Sequence, residues 1–340
     1  MKTKAFVLPI AMLAIAALAG CNSGSSTDVK IGILQLVSAA PLNAVNDNFQ
    51  STILASDWAK THTPVFTVQD PQLDEATMAT MATNLVANSS LVLGIATGAS
   101  QALKSAASKA GSSIPILFSA VTDPVGANLV TTTTAAPGGN VSGCSDMGPV
   151  DESMQLINAH FSALKKTVAV IYNTGESNSV QQITIAKASL GDLGWSVLDR
   201  AVASETEITT SLNTIPDEVK MLYFPTDNMC ASNASAIAKF AKERKMFVCC
   251  GDSSLVSADD ALFSLGVDYA SLGIQVAKMA LEVLNGKKTV GELPVGFATN
   301  FPLVVNERAA KDWGVALPAS LIAAADEVIS NEQPTSSASV

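Results

Sequence analysis

The sequence predicts an α/β protein built from two parallel-sheet lobes. Three observations carry this reading. Short β-branched runs alternate with helical stretches along most of the chain, the pattern of βαβ units that bury a sheet between helices. The pattern restarts near residue 150, giving two tandem runs, each roughly the size of one domain. Each apolar run ends in Thr, Ser, Asn or Asp, and ligands of open α/β sheets sit beyond the carboxyl ends of the strands.

The elements follow in order. Residues 29–35 (V-K-I-G-I-L-Q) alternate and are β-branched, so they form a strand that opens into a loop over 36–43. A helix over 46–59, a strand over 64–68 and a helix over 72–87 come next. The run L-V-L-G-I-A (91–96) is a buried strand, followed by a helix over 101–109. A fourth strand begins at Ile114 and ends in Ser119 and Asp123-Pro124. A short β-prone piece (140–142) follows the turn at Pro137-Gly138-Gly139. In the second half, helices are expected at 151–164, 180–193, 205–212, 231–244, 269–284, 307–313 and 319–325. Strands are expected at 167–172, 195–202, 218–224, 246–249, 262–267, 295–301 and 303–305.

The 340 residues are 48% hydrophobic and 15% charged, ample material for two cores. The net charge of −10, with no Lys/Arg cluster, argues against nucleic-acid binding. Met1-Lys2-Thr3-Lys4 supplies positive charge ahead of a mostly apolar run that is short for a membrane span. That run closes in Leu18-Ala19-Gly20-Cys21, which resembles a bacterial lipobox, in which a signal peptidase cuts before the Cys and the Cys carries lipid. Residues 1–21 are therefore expected to be a lipoprotein signal peptide and 22–28 a flexible tether, with the mature protein exported and held at a membrane surface. Cys144, Cys230, Cys249 and Cys250 fit no metal-ligand spacing, and they read as small buried residues or one disulfide. With two His in the chain, neither beside a partner motif, no metal and no cofactor is expected.

The polar strand ends are the candidate site. Thr97 and Ser119 each stand just past a buried strand, where hydroxyls and helix N-terminal N–H groups suit a carboxylate. Each reads equally as a helix cap. Asp227 could pair with a ligand ammonium or cap the helix that follows, and Asp146 and Asp252 carry the same ambiguity. Glu176, within 173–179, reads as a cleft acceptor or a solvated loop residue. Donors and acceptors on two lobes suit a small solute with polar ends, such as a zwitterion. No G-x-S-x-G elbow, Walker A motif or G-x-G-x-x-G is present, so an enzyme is not expected.

Seven segments in order carry a family likeness: I-G-I-L-Q (31–35), G-I-A-T-G-A-S-Q-A-L (94–103), I-P-I-L-F-S-A-V-T-D-P-V (114–125), P-G-G-N-V-S-G-C-S-D (137–146), V-I-Y-N-T-G-E-S-N-S (170–179), F-P-T-D-N (224–228) and D-Y-A-S-L-G (268–273). On these the chain resembles the periplasmic-binding-protein-like ABC transporter substrate-binding proteins, in the group that includes tryptophan- and tyrosine-linked binding lipoproteins. The resemblance implies a type I fold, two doubly wound lobes joined by three crossovers. It also implies capture of a small solute, often an aromatic amino acid, for delivery to a membrane permease. Matched residue by residue, it puts Thr97, Ala99, Ser119, Asp146, Asn173, Glu176, Ser177, Asn178, Thr226 and Asp227 near the cleft, with Gln35 and the loop carrying Ser38 beside them. Asp252 is added from its own strand end. One departure is that members often carry an acidic-His-Pro segment after the first strand, where this chain has Val37-Ser38-Ala39-Ala40-Pro41. That removes a charge and an imidazole from the expected wall and leaves room for a different ligand.

The lobes are then expected to comprise 29–143 plus 268–290, and 144–267 plus 291–328, with a disordered tail over 329–340. The chain is expected to act as a monomer, with a membrane ABC permease as its partner. An alternative on the same fold is a sensing module that hands a solute signal to a membrane receptor.

Overall fold

The computed structural model describes residues 27–164 and 166–330. The expected signal peptide, the expected lipidation site Cys21, most of the expected tether and residues 331–340 lie outside them. The first half runs β1 (Thr27–Gln35), α1 (Ala40–Leu54), β2 (His62–Gln69), α2 (Glu75–Asn88), β3 (Leu91–Ile95), α3 (Thr97–Ala110), β4 (Ile116–Ser119) and β5 (Val141–Ser145). The second runs α4 (Val150–His160), β6 (Thr167–Asn173), α5 (Ser177–Asp192), β7 (Ser196–Val202), α6 (Glu205–Asn213), β8 (Met221–Phe224), α7 (Asn228–Ser232), α8 (Ala234–Glu243), β9 (Phe247–Cys250), α9 (Ser253–Ser257) and β10 (Phe263–Leu265). The last stretch adds α10 (Tyr269–Leu284), β11 (Gly296–Phe297), β12 (Leu303–Asn306), α11 (Glu307–Trp313), α12 (Ala319–Ala324) and β13 (Glu327–Ile329).

These elements make two doubly wound sheets. The first has the order β11-β5-β4-β3-β1-β2 and is parallel throughout. The second has the order β13-β12-β10-β9-β8-β6-β7, parallel except where β10 meets β12. Central strands β3, β4, β5 and β8 are buried at every residue, as expected of strands covered on both faces. Edge strand β2 alternates between half-buried and exposed over most of its length. Each sheet has its own hydrophobic core, around Ile33, Leu93 and Phe118 in one lobe and Val170, Tyr223 and Phe263 in the other.

The chain crosses between lobes three times: after β5, after β10 and between β11 and β12. Two expected boundaries change. β5 stays in the first sheet through Ser145, so the first crossing falls over 146–149 rather than at 144. Residues 291–297 belong to the first lobe rather than the second: Gly296 and Phe297 pair with Cys144 and Ser145, and Ser142 Oγ donates to the Leu293 carbonyl at 2.7 Å. A run of apolar residues near 295–301 says strand but not which sheet edge it joins. Ile329, expected to open the tail, pairs with Asn306 in β13. The helix expected over 231–244 is two, α7 and α8, joined at Asn233. The four Cys among the described residues, Cys144, Cys230, Cys249 and Cys250, are free and buried. Among the described residues, no helix is long and apolar enough to cross a membrane.

Candidate functional site

The carboxyl ends of both sheets face each other across two neighbouring cavities. The larger, about 250 Å³, is walled by Leu36, Leu73, Met78 and Thr97 from the first lobe and by Asn173, Glu176, Asn178 and Met229 from the second. The smaller, about 20 Å³, lies among Ala120, Asp146, Thr226, Asp227, Asp252 and Tyr269. Asn178 and Asn228 touch both. A space of 20 Å³ holds about one water, and an ammonium group is of similar size. Among the described residues, no Lys, Arg or His lines either cavity.

On the first lobe the strand ends are strained and unsatisfied. Ala96, between β3 and α3, has φ 81° and ψ 162°, and Ala120, just past β4, has φ 55°. Positive φ costs a residue with a Cβ about 1–2 kcal/mol, and such strain persists where surrounding structure holds it, often at ligand clamps. Each strained alanine adjoins a buried hydroxyl without a hydrogen-bond partner: Thr97 Oγ1 and Ser119 Oγ. Helix α3 also starts without a side-chain cap, so its first-turn N–H groups at Thr97, Gly98 and Ala99 have no acceptor within the helix. The structure thus removes the cap reading for both hydroxyls.

The second lobe is the reverse. Asp227 accepts from Cys230 N–H at 2.8 Å and Asn173 N–H at 2.6 Å, so it caps α7 and ties β6 to β8. Asp252 accepts from Ser254 N–H and Ser254 Oγ, both at 2.9 Å, and caps α9. Of the two sequence readings, ligand partner or cap, both side chains take the cap. Glu176 accepts from Asn173 Nδ2, Asn228 N–H and Met229 N–H at 3.1 Å each. Burial, and then the charge of Asp227, push its carboxyl up to about 7. Asn178 donates to the Thr226 carbonyl at 2.9 Å, and the Thr226 hydroxyl accepts from Gln182.

Asp146 differs from these. It lies on the first crossover, 3% exposed, and its partners are hydroxyls: Thr122 at 3.0 Å and Tyr269 at 2.7 Å. Burial raises its carboxyl above the usual range. Burial likewise pushes Asp252 up to about 7, with the nearby Asp146 adding repulsion. Three buried carboxyls, Asp146, Asp227 and Asp252, line one small chamber with no Lys, Arg or His among the described residues around it, so the charge balance there favours a cation.

The remaining expected residues sort differently. Gln35 is buried and committed: its Nε2 donates to the Val37 carbonyl and Asn43, and its Oε1 accepts from Asn46 at 3.1 Å. It braces the loop after β1 and lines neither cavity. Ser38 is exposed and meets only Asn43, at 3.4–3.5 Å. Ala99 is fully buried packing in α3. Ser177 is exposed at the start of α5 and lines the larger cavity.

Sequence reasoning missed Leu73, Met78 and Met229, and had Leu36 only as part of the loop after β1, because an apolar residue carries no site signal. It also missed Gln182 and Tyr269. Gln182 lies one helical turn past Asn178, so the spacing puts both on one face of α5. Its Nε2 lies 3.5 Å from Thr122 Oγ1 of the first lobe. Tyr269 opens α10 directly after its cap Asp268, at the second crossover.

Comparison with known proteins agrees with this fold. The tyrosine-binding protein of Clostridioides difficile (strain R20291) is 32% identical over 310 residues, covering 87% of this chain and 88% of its own. A Streptococcus pneumoniae ABC domain solved with L-Trp is 31% identical, covers 89% of this chain and 100% of its own, and superposes with a TM-score of 0.80. A ligand-free, open substrate-binding protein with adhesive properties from Clostridium difficile has the same identity and coverage but a TM-score of 0.64. This chain superposes better on the relative solved with L-Trp than on the ligand-free, open one. A family model described as ABC transporter substrate binding protein matches residues 30–329. With that match over almost all the described residues, and a relative 32% identical over most of both chains, the protein belongs to the ABC transporter substrate binding protein family.

Proposed function

We propose that the protein is the extracytoplasmic solute-binding component of an ABC importer and that its solute is an amino acid. One observation carries the reading: the unpaired hydroxyls of Thr97, on the larger cavity, and of Ser119, next to Ala120 of the acidic chamber, each stand beside a strained alanine on one lobe. The hydroxyls and the open N-terminus of α3 supply donors for a carboxylate without a formal cation. Asp146, in the 20 Å³ chamber, takes the ammonium, with Asp252 adding negative potential. The side chain then points into the 250 Å³ cavity. The names of the tyrosine-binding relative and the L-Trp complex support an amino acid, including an aromatic one. Neither cavity is lined by Trp or Phe, and the one Tyr, Tyr269, is in the small chamber with its hydroxyl on Asp146. Ring stacking is therefore not what holds the side chain.

The L-A-G-C sequence ending at Cys21 supports export and lipid anchoring, and a membrane permease is the partner that would receive the solute. Calorimetric titration of the purified, folded protein with the twenty amino acids tests the ligand class. Saturable binding of at least one is expected, and silence across the whole panel sinks the amino-acid reading.

A further inference from the structure

The chain between β2 and α2 holds two consecutive left-handed residues, neither of them glycine: Gln72 at φ 52° and Leu73 at φ 66°. The turn is pinned from several sides. Asp70 accepts from the Gln72 N–H at 2.8 Å and from its side-chain amide. Leu73 N–H donates to the Leu36 carbonyl at 3.2 Å, and Asp74 N–H donates to the Pro71 carbonyl at 3.0 Å. Asp74 then caps α2 through Thr77 N–H. A strained turn fixed this firmly aims one side chain, that of Leu73.

Leu73 points to where the lobes meet. It is half-buried and packs against the hydrophobic cores of both lobes. It lines the 250 Å³ cavity beside Leu36 and Met78, with Ala203 and Met229 on the opposing lobe. These five side chains make one apolar wall of that cavity. The polar wall, from Asn173 through Asn228, is largely tied up in its own hydrogen bonds.

We propose that Leu73 is a specificity-determining residue. It forms the lobe-spanning wall of a subsite for an uncharged, apolar ligand side chain, and this wall is complete only when the lobes are closed. The assignment rests on the amino-acid reading above. It makes affinity depend on side-chain size, because each apolar atom added to the ligand is buried against Leu73 and its neighbours.

The test is calorimetric titration of wild type, Leu73→Ala and Leu73→Met with alanine, leucine, methionine, tryptophan and lysine. Wild type is expected to bind leucine, methionine or tryptophan at least about tenfold more tightly than alanine, and methionine at least about tenfold more tightly than lysine. Leu73→Ala should weaken the large apolar ligands about tenfold while changing alanine by no more than about twofold, and Leu73→Met should restore most of the loss. Alanine binding serves as the control that the variant folds and closes. Equal weakening of all ligands, or no change for any, overturns the assignment of Leu73 and leaves the amino-acid reading standing. Failure of wild type to bind any amino acid overturns both.

Discussion

The two lobes meet the cleft with the same kind of edge and opposite hydrogen-bonding states. On the first lobe Thr97 and Ser119 are buried without partners, and α3 begins uncapped. On the second, Asp227 and Asp252 each satisfy a helix start, and Glu176 accepts three hydrogen bonds of 3.1 Å. An unpaired buried donor has most to gain from a ligand, whereas a satisfied one has little. On the function proposed above, the first lobe is thus the half with hydrogen-bonding capacity left for the solute. Polar residues at a cleft cannot be scored alike: what matters is whether their capacity is already spent inside the fold.

The largest effect should come from breaking the saturated side. Asp227→Ala strands the N–H groups of Asn173 and Cys230, so it should cost about 2–4 kcal/mol of stability in chemical denaturation. A stable Asp227→Ala that merely fails to bind would mean that Asp227 serves the ligand after all. Next come the unsatisfied hydroxyls. Thr97→Val and Ser119→Ala should each weaken amino-acid binding by about tenfold while leaving stability within about 0.5 kcal/mol, since no internal bond is lost. A parallel fall in melting temperature and affinity would return them to structural roles.

A third expectation concerns pH. Asp252 and Glu176, pushed up to about 7 chiefly by burial, hold protons that the unfolded chain releases near pH 4. The folded state therefore binds more protons than the unfolded one between about pH 4 and 7, so stability without ligand should fall as pH rises through that window and level off above it. A bound ammonium stabilises the charged carboxylates, so the thermal shift given by ligand should be larger at about pH 7.5 than at about pH 5. Melting curves with and without amino acid check both signs. Smallest of all, Asp252→Asn should flatten part of this pH slope while leaving the cap largely in place, since an amide oxygen can still accept from Ser254 N–H.

Much of this was legible in the sequence, for reasons that also mark where legibility stops. Alternating βα patterning follows from burial on both sheet faces, so the lobes and strand ends could be read directly. The positions of Thr97, Ser119 and Asp146 followed from the strand ends. Whether an Asp caps a helix or waits for a ligand could not, because the same carboxylate at the same helix start does either. The strain at Ala96 and Ala120 left no trace, since alanine is the residue least expected to signal an unusual φ. Leu73 was read as one face of a helix, whereas it precedes α2 in a left-handed turn. Nor could patterning say that β11 joins the first sheet, because two paired residues are too few to carry an alternation.

That last strand bears on how the chain acquires its shape. The first lobe lacks the covering helix α10 and the edge strand β11 until nearly 300 residues have been made. Helix α10 lies so close on α1 that a Cβ at Gly273 would stand 2.5 Å from the Val45 carbonyl oxygen. A chain stopped after residue 267 would leave Val45 and the rest of that α1 face uncovered. Contacts spanning so much sequence close late and slow the search for the native state. The amino-terminal half cannot mature alone ahead of the carboxyl-terminal half, and a refolding experiment should show both lobes gaining protection from hydrogen exchange in one late, shared phase.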